Sequence, residues 1–179
     1  MKESKNKDLP CFARQNLFSR SAQNSPELVV ILDNIRSTYN VGAIFRTADA
    51  AGVLKIYLCG ITPSPPNPKI SKVALGAEKF IPFEKIKNTW RLLEELKDEN
   101  YFLISIEQGK NSKDIFKITS KILKRKKIAL ILGPEVKGLS SKILKRTNLQ
   151  LEIPMHGKKE SLNVAVAFGV AVYQMRNLL

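Results

Sequence analysis

Leu28-Val29-Val30-Ile31-Leu32 is an unbroken apolar run, followed by a polar loop from Asp33 to Tyr39. Next comes Val41-Gly42-Ala43-Ile44-Phe45-Arg46-Thr47-Ala48-Asp49-Ala50-Ala51, which Gly52 stops. A strand with one wet face alternates apolar and polar side chains, whereas an uninterrupted run marks a strand covered on both faces. The segment after the loop has the length and composition of a helix. Lys55-Ile56-Tyr57-Leu58-Cys59 reads as a second strand, and further strands are expected at residues 101–106, 128–132 and 149–153. Helical stretches are expected between them at 89–97, 120–124 and 140–146. Alternating strands and helices with apolar strand cores imply an α/β fold, a mainly parallel sheet flanked by helices. Residues 62–68 carry four prolines and read as loop.

The segment Leu162-Asn163-Val164-Ala165-Val166-Ala167-Phe168-Gly169-Val170-Ala171-Val172-Tyr173-Gln174-Met175 is ambiguous by period. Large residues at even positions mimic a strand, while length and continuity through Arg176 favour a helix that is apolar nearly all round. Such a helix must be buried, within one chain or in a homodimer. It is too short and too interrupted to span a bilayer.

The chain has 179 residues, 44% hydrophobic and 26% charged, the balance of an ordinary globular protein. That length buries roughly 70% of the unfolded surface, so neither a metal nor a disulfide is needed as a staple. The two cysteines, Cys11 and Cys59, form no CxxC pair, which argues against a zinc site and fits a reducing, cytoplasmic compartment. His156 is the only histidine, which excludes any centre built on several. Lys and Arg total 30 against 16 Asp and Glu, a net charge of +14. A field of that sign attracts polyanions such as nucleic acid. A generally lysine-rich surface explains the same excess, whereas a membrane-surface role finds no long basic amphipathic helix in its support. Residues 1–27 read as an N-terminal arm and 28–179 as the folded domain. The arm lacks the apolar core of a secretory signal; Phe12, Arg14, Phe18 and Arg20 make RNA contact an alternative to a plain tail.

Ligands of parallel α/β sheets sit at the carboxyl ends of the strands. Three loops stand there: the one leading into Asn40-x-Gly42-x-x-x-Arg46-Thr47-Ala48, then Gly133-Pro134-Glu135-Val136-Lys137-Gly138-Leu139-Ser140, then Pro154-Met155-His156-Gly157-Lys158-Lys159-Glu160-Ser161-Leu162-Asn163. Gly133 and Gly138 have the spacing of a phosphate loop, but Leu139 stands where the phosphate-binding lysine must be, so a nucleotide hydrolase is not supported. No GxGxxG follows any expected strand, which leaves a dinucleotide site unsupported as well.

In this order, the three loops resemble the SpoU-type (TrmH-like) branch of the trefoil-knotted SPOUT RNA methyltransferases, over about Leu28 to Leu179. The resemblance is carried by Asn40-x-Gly42-x-x-x-Arg46-Thr47-Ala48, Leu132-Gly133-x-Glu135-x-x-Gly138-Leu139, and Ile153-Pro154-Met155 leading to Ser161-Leu162-Asn163-Val164, with Ala74-Leu75-Gly76-Ala77-Glu78 matching a further segment. It implies a C-terminal trefoil knot, a homodimer with the last helix in its interface, and methylation of a ribose 2′-hydroxyl in tRNA or rRNA with S-adenosylmethionine. The cofactor is expected at Gly133, Ile153, Met155 and Leu162, although the glycines alone are compatible with turns, and Ile153 and Leu162 with core.

Arg46 stands at the family's catalytic position. Arginine keeps its proton, so an electrostatic role on the 2′-oxygen and a neighbouring phosphate suits it better than that of a base. A surface ion pair with Asp49 is the plainer reading of Arg46. Asn163 and Glu135 complete the catalytic candidates, Glu135 orienting Arg46 or a backbone amide, Asn163 holding the substrate or the arginine. Asn40 is expected to cap the helix that carries Arg46, and Ser161 to cap the last helix; both, with Arg46, are candidate substrate contacts. His156 is assigned no role, and no metal is expected. Base methylation by another knotted branch and RNA binding without turnover are the competing readings.

Overall fold

The structure is a computed structural model that describes residues 26–123 and 127–179. The expected arm therefore lies outside the described residues except for Pro26 and Glu27. Seven parallel strands form one sheet: β1 (Glu27–Asp33), β2 (Lys55–Cys59), β3 (Phe83–Ile86), β4 (Phe102–Ile106), β5 (Lys113–Asp114), β6 (Lys127–Leu132) and β7 (Leu149–Glu152). Their spatial order is β3-β2-β1-β6-β4-β7-β5. β1 is an interior strand, with Val30 beside Ile56 on one side and Leu130 on the other. Its uninterrupted apolar run is explained by the burial of Leu28 through Asp33 on both faces.

Helices α1 (Thr38–Ala50), α2 (Pro68–Ala74) and α5 (Val164–Leu178) cover one face, while α3 (Thr89–Asp98) and the single-turn α4 (Ser141–Leu144) cover the other. Alternation along the strands divides the core accordingly. Leu28, Val30 and Leu32 pack with Ile44, Phe45, Ile70, Phe168 and Val172, whereas Val29 and Ile31 pack with Leu92, Leu93, Leu96 and Ile143. The α/β, parallel-sheet expectation is met.

The last segment is a helix. Its buried residues Val164, Phe168, Ala171, Val172 and Met175 recur with helical period, so the alternation in the sequence is a by-product of small residues between large ones. It is not buried all round, since Val166 and Tyr173 are 52% and 53% exposed. Arg176 ties its end to α1, with Nε donating to the Ala51 carbonyl at 2.7 Å and a second guanidinium N–H donating to that of Gly52. Gly42 lets α1 and α2 touch, because a Cβ there would lie 2.7 Å from the Ile70 carbonyl oxygen.

Five elements differ from the sequence expectation, the first being the two-residue strand β5, too short to leave an apolar pattern. α1 starts at Thr38, because Ser37 caps it by accepting from Asn40 N–H at 3.2 Å. The proline-rich stretch ends in α2: Asn67 caps the Lys69 N–H and Pro68 occupies the first turn, where its missing N–H costs nothing. Edge strand β3 went unread because three of its four residues are exposed. The helix expected at 120–124 is a turn over its described residues, closed by Ile122 N–H to Thr119 and Leu123 N–H to Ser120; so short a segment does not repay helix nucleation.

Candidate active site

The carboxyl ends of the strands support two clefts separated by the loop that follows β6. Leu132 ends that strand, and Gly133 opens the loop in a very tight turn: a Cβ at Gly133 would lie 2.8 Å from Leu139 Cγ and 3.0 Å from Leu139 N. Glu107, the first residue after β4, pins the far end of the loop. Its Oε2 accepts the Leu139 N–H at 2.7 Å, and Gly138, at φ 63°, leaves room for the carboxylate. Only glycine takes this position without both steric overlap and backbone strain.

The first cleft lies on the β4 and β7 side of the loop, and encloses about 650 Å³ of empty, partly solvent-open space. Gly133, Ile153, Met155 and Leu162, expected from the sequence to act together, line it together. Ile106, Leu132, Val164 and Ala167 add apolar wall. Its charged lining residues are Glu107, Glu135 and Glu152, with no lysine or arginine among them. Glu152 accepts from the Ser112 hydroxyl, so this carboxylate is held in place as well.

Asn40, Glu135 and Asn163 form one chain of hydrogen bonds. Asn40 Nδ2 donates to Glu135 Oε1 at 2.5 Å, Asn163 Nδ2 donates to Asn40 Oδ1 at 3.0 Å, and Asn163 Oδ1 accepts the Ala165 N–H at 2.9 Å. Two side-chain hydrogen bonds, both made by Asn40, thus join the three motifs. This arrangement corrects several expected roles. Ser37 caps α1, and Asn40 sits in its first turn with its side chain free to bridge. Asn163, rather than Ser161, caps α5, because its oxygen is two residues from the first free N–H; Ser161 lines the first cleft. Glu135 orients Asn40, not Arg46.

Arg46 lines neither cleft. It is exposed on α1 and takes part in no ion pair among the described residues, so the pairing with Asp49 is absent. Its neighbour Thr47 faces α5, where a Cβ on Gly169 would meet Thr47 Cγ2 at 4.0 Å. His156 is exposed in the third loop. Glu107 escaped sequence reading; the signal available for it was its place at the carboxyl end of an expected strand. Among the described residues no group of three or more His, Cys, Asp or Glu is arranged to hold a metal.

The second cleft is larger, with about 1480 Å³ of empty, partly solvent-open space, and runs across the ends of β3, β2, β1 and β6. Asp33, Arg36, Gly60, Lys87, Trp90 and Lys142 line it, and it shares Pro134 and Glu135 with the first.

Known proteins agree with this geometry. The chain is 31% identical over 86% of its length to a 23S rRNA (guanosine-2′-O-)-methyltransferase RlmB of Vibrio parahaemolyticus, and it spans 60% of that enzyme. It is 31% identical over 83% of its length to a tRNA (guanosine(18)-2′-O)-methyltransferase of Aquifex aeolicus, covering 68% of it. An AdoMet-bound rRNA methyltransferase from Sinorhizobium meliloti superposes with a TM-score of 0.75 at 27% identity, over 86% of this chain and 57% of that one. The model of the SpoU rRNA Methylase family matches residues 27–173, and the chain, which carries the family's three loops at the carboxyl ends of a parallel sheet, belongs to that family.

Proposed function

We propose that the chain methylates a ribose 2′-hydroxyl of structured RNA, tRNA or rRNA, with S-adenosylmethionine as donor. The observation that carries this reading is the first cleft, apolar and lined by three carboxylates with no cation. A triphosphate or a dinucleotide is repelled by such a wall, whereas a sulfonium is attracted and an adenosine ring fits between apolar side chains. Gly133, Ile153, Met155 and Leu162 would hold the cofactor, whose sulfonium supplies the methyl group. The names of the relatives favour ribose over base as acceptor.

Within this reading the Asn40–Glu135–Asn163 chain keeps the loop after β6, the start of α1 and the start of α5 in one register. The 2′-hydroxyl must lose its proton as it is methylated. Arg46 stabilises negative charge developing on the 2′-oxygen and clamps an RNA phosphate, which accepts the proton. Because Arg46 is outside the cleft of its own chain, we place it in the site of a second copy. The exposed Val166 and Tyr173 support a homodimer through α5. A C-terminal trefoil knot belongs to the same proposal, supported by the insertion of β7 between β4 and β5. A cytoplasmic location is proposed from the RNA substrates of the relatives.

Calorimetry tests the reading. S-adenosylmethionine or its demethylated product should bind, and neither ATP nor NAD should compete. Tight ATP binding, or no binding of the methyl donor, would sink it.

A further inference from the structure

We infer that the second cleft, built around Trp90, holds a single-stranded stretch of the RNA next to the nucleotide that is methylated. The inference rests on the methyltransferase reading only for what occupies the neighbouring cleft. Four cations line this second cleft: Arg36, Lys87, Lys137 and Lys142. Among the described residues none of them is in an ion pair, whereas Lys55, Lys117, Lys127 and Arg146 all are. The two carboxylates in the lining are already engaged by neutral donors. Asp33 accepts from the Thr89 hydroxyl and from Asn34 Nδ2, and Glu135 accepts from Asn40. With four cations, none of them ion-paired, against two carboxylates, the cleft carries a net positive charge, the reverse of its neighbour, and it suits a polyanion.

Trp90 makes it suit RNA in particular. The ring is half-buried in the cleft wall, held from α3, and three cations gather about it: Lys142 Nζ at 3.8 Å from the ring centroid, Arg91 and Arg146 at 5.2 and 5.6 Å. An aromatic platform ringed by cations is how single strands are bound without sequence readout, bases stacking on the ring and phosphates meeting the charges. Lys142, from the short α4, covers the ring, and a stacking base would displace its ammonium group. The cleft crosses four adjacent strands about 4.8 Å apart, or roughly 14 Å, long enough for more than one nucleotide. Pro134 and Glu135 form the wall common to both clefts, so a strand lying here delivers its next ribose to the methyl donor's side.

Trp90 is the only tryptophan, so its fluorescence reports on this cleft alone. Titrating a 12-residue oligouridylate into the full chain should quench it, in a salt-dependent manner. By anisotropy of the labelled oligonucleotide, Trp90→Ala should weaken binding by about five- to a hundredfold, and Trp90→Phe should recover most of it. Lys87→Gln and Lys142→Gln should each flatten the salt slope by about 0.7. Heats of S-adenosylmethionine binding should be unchanged in all four variants. The proposal is overturned if oligouridylate binds without quenching, if all four variants bind RNA as the wild type does, or if polyglutamate quenches and binds equally well. Failure of S-adenosylmethionine to bind while RNA still quenches Trp90 would refute the methyltransferase reading and leave this cleft standing.

Discussion

Asn163 and Asn40 are 123 positions apart in the chain, yet the side-chain amide of one donates to the carbonyl oxygen of the other at 3.0 Å. The side-chain oxygen of Asn163 caps α5 by accepting from Ala165 N–H, so one residue both starts the last helix and fixes it against the first. Because Asn40 also holds Glu135, the position of the loop between the two clefts depends on where α5 begins.

The two jobs of Asn163 separate by substitution. Asn163→Ala removes both cap and bridge and should cost about 1 kcal/mol of stability, measured by denaturant unfolding. Asn163→Ser keeps a cap but is too short to reach Asn40; stability should be nearly retained while methyl transfer falls at least tenfold. Equal activity of the serine variant and wild type would show that the bridge has no part in turnover.

Arg46→Ala should lower methyl transfer by about a hundredfold or more, the scale of losing one transition-state charge contact, with S-adenosylmethionine affinity unchanged. Arg46→Lys keeps charge but loses the planar fork that grips phosphate, and should be severely impaired as well. If Arg46 serves a second copy, mixing Arg46→Ala with an inactive Gly133→Ala variant should restore part of the activity, since mixed dimers contain one intact site. Wild-type turnover by Arg46→Ala would refute the proposed chemistry.

Val166, half exposed on α5, tests the assembly. The wild type should sediment as a dimer, and Val166→Glu should sediment as a monomer with its fold retained, because the residue does not contribute to the core of its own chain. A wild-type monomer at micromolar concentration would leave Arg46 without a site.

Cys59 makes a prediction about pH. The thiol is buried between the sheet and α3, and burial pushes its pKa up from 9.0 to about 12. In a Cys11→Ser background the native protein should therefore resist Ellman's reagent at pH 8 and react fully in urea. The folded state holds this proton more tightly than the unfolded state, so the stabilisation is complete below pH 9.0 and is lost as pH rises toward 12. Rapid labelling of the native thiol would contradict the burial.

Much of this molecule was legible in its residues. The doubly buried run at Leu28 through Leu32, most of the strands after it and the loops at their ends follow from hydrophobic period and chain order, whereas the grouping of Gly133, Ile153, Met155 and Leu162 came from the family resemblance of the motifs that carry them. Elements whose stability is local were read less well: β3 is an exposed edge with no apolar pattern, and α2 is started by a proline that elsewhere breaks helices. What the tertiary structure alone decided is how the polar groups pair. Asn40 meets Glu135 and Asn163, Glu107 fastens Leu139, and Arg46 is kept away from all of them, because a hydrogen bond between distant segments depends on the register in which helices and strands pack, and register leaves no periodic trace. The opposite charge of the two clefts has the same origin. Lysines and glutamates are scattered along the sequence, and only the sheet gives the first cleft three carboxylates and no cation and the second four cations against two carboxylates.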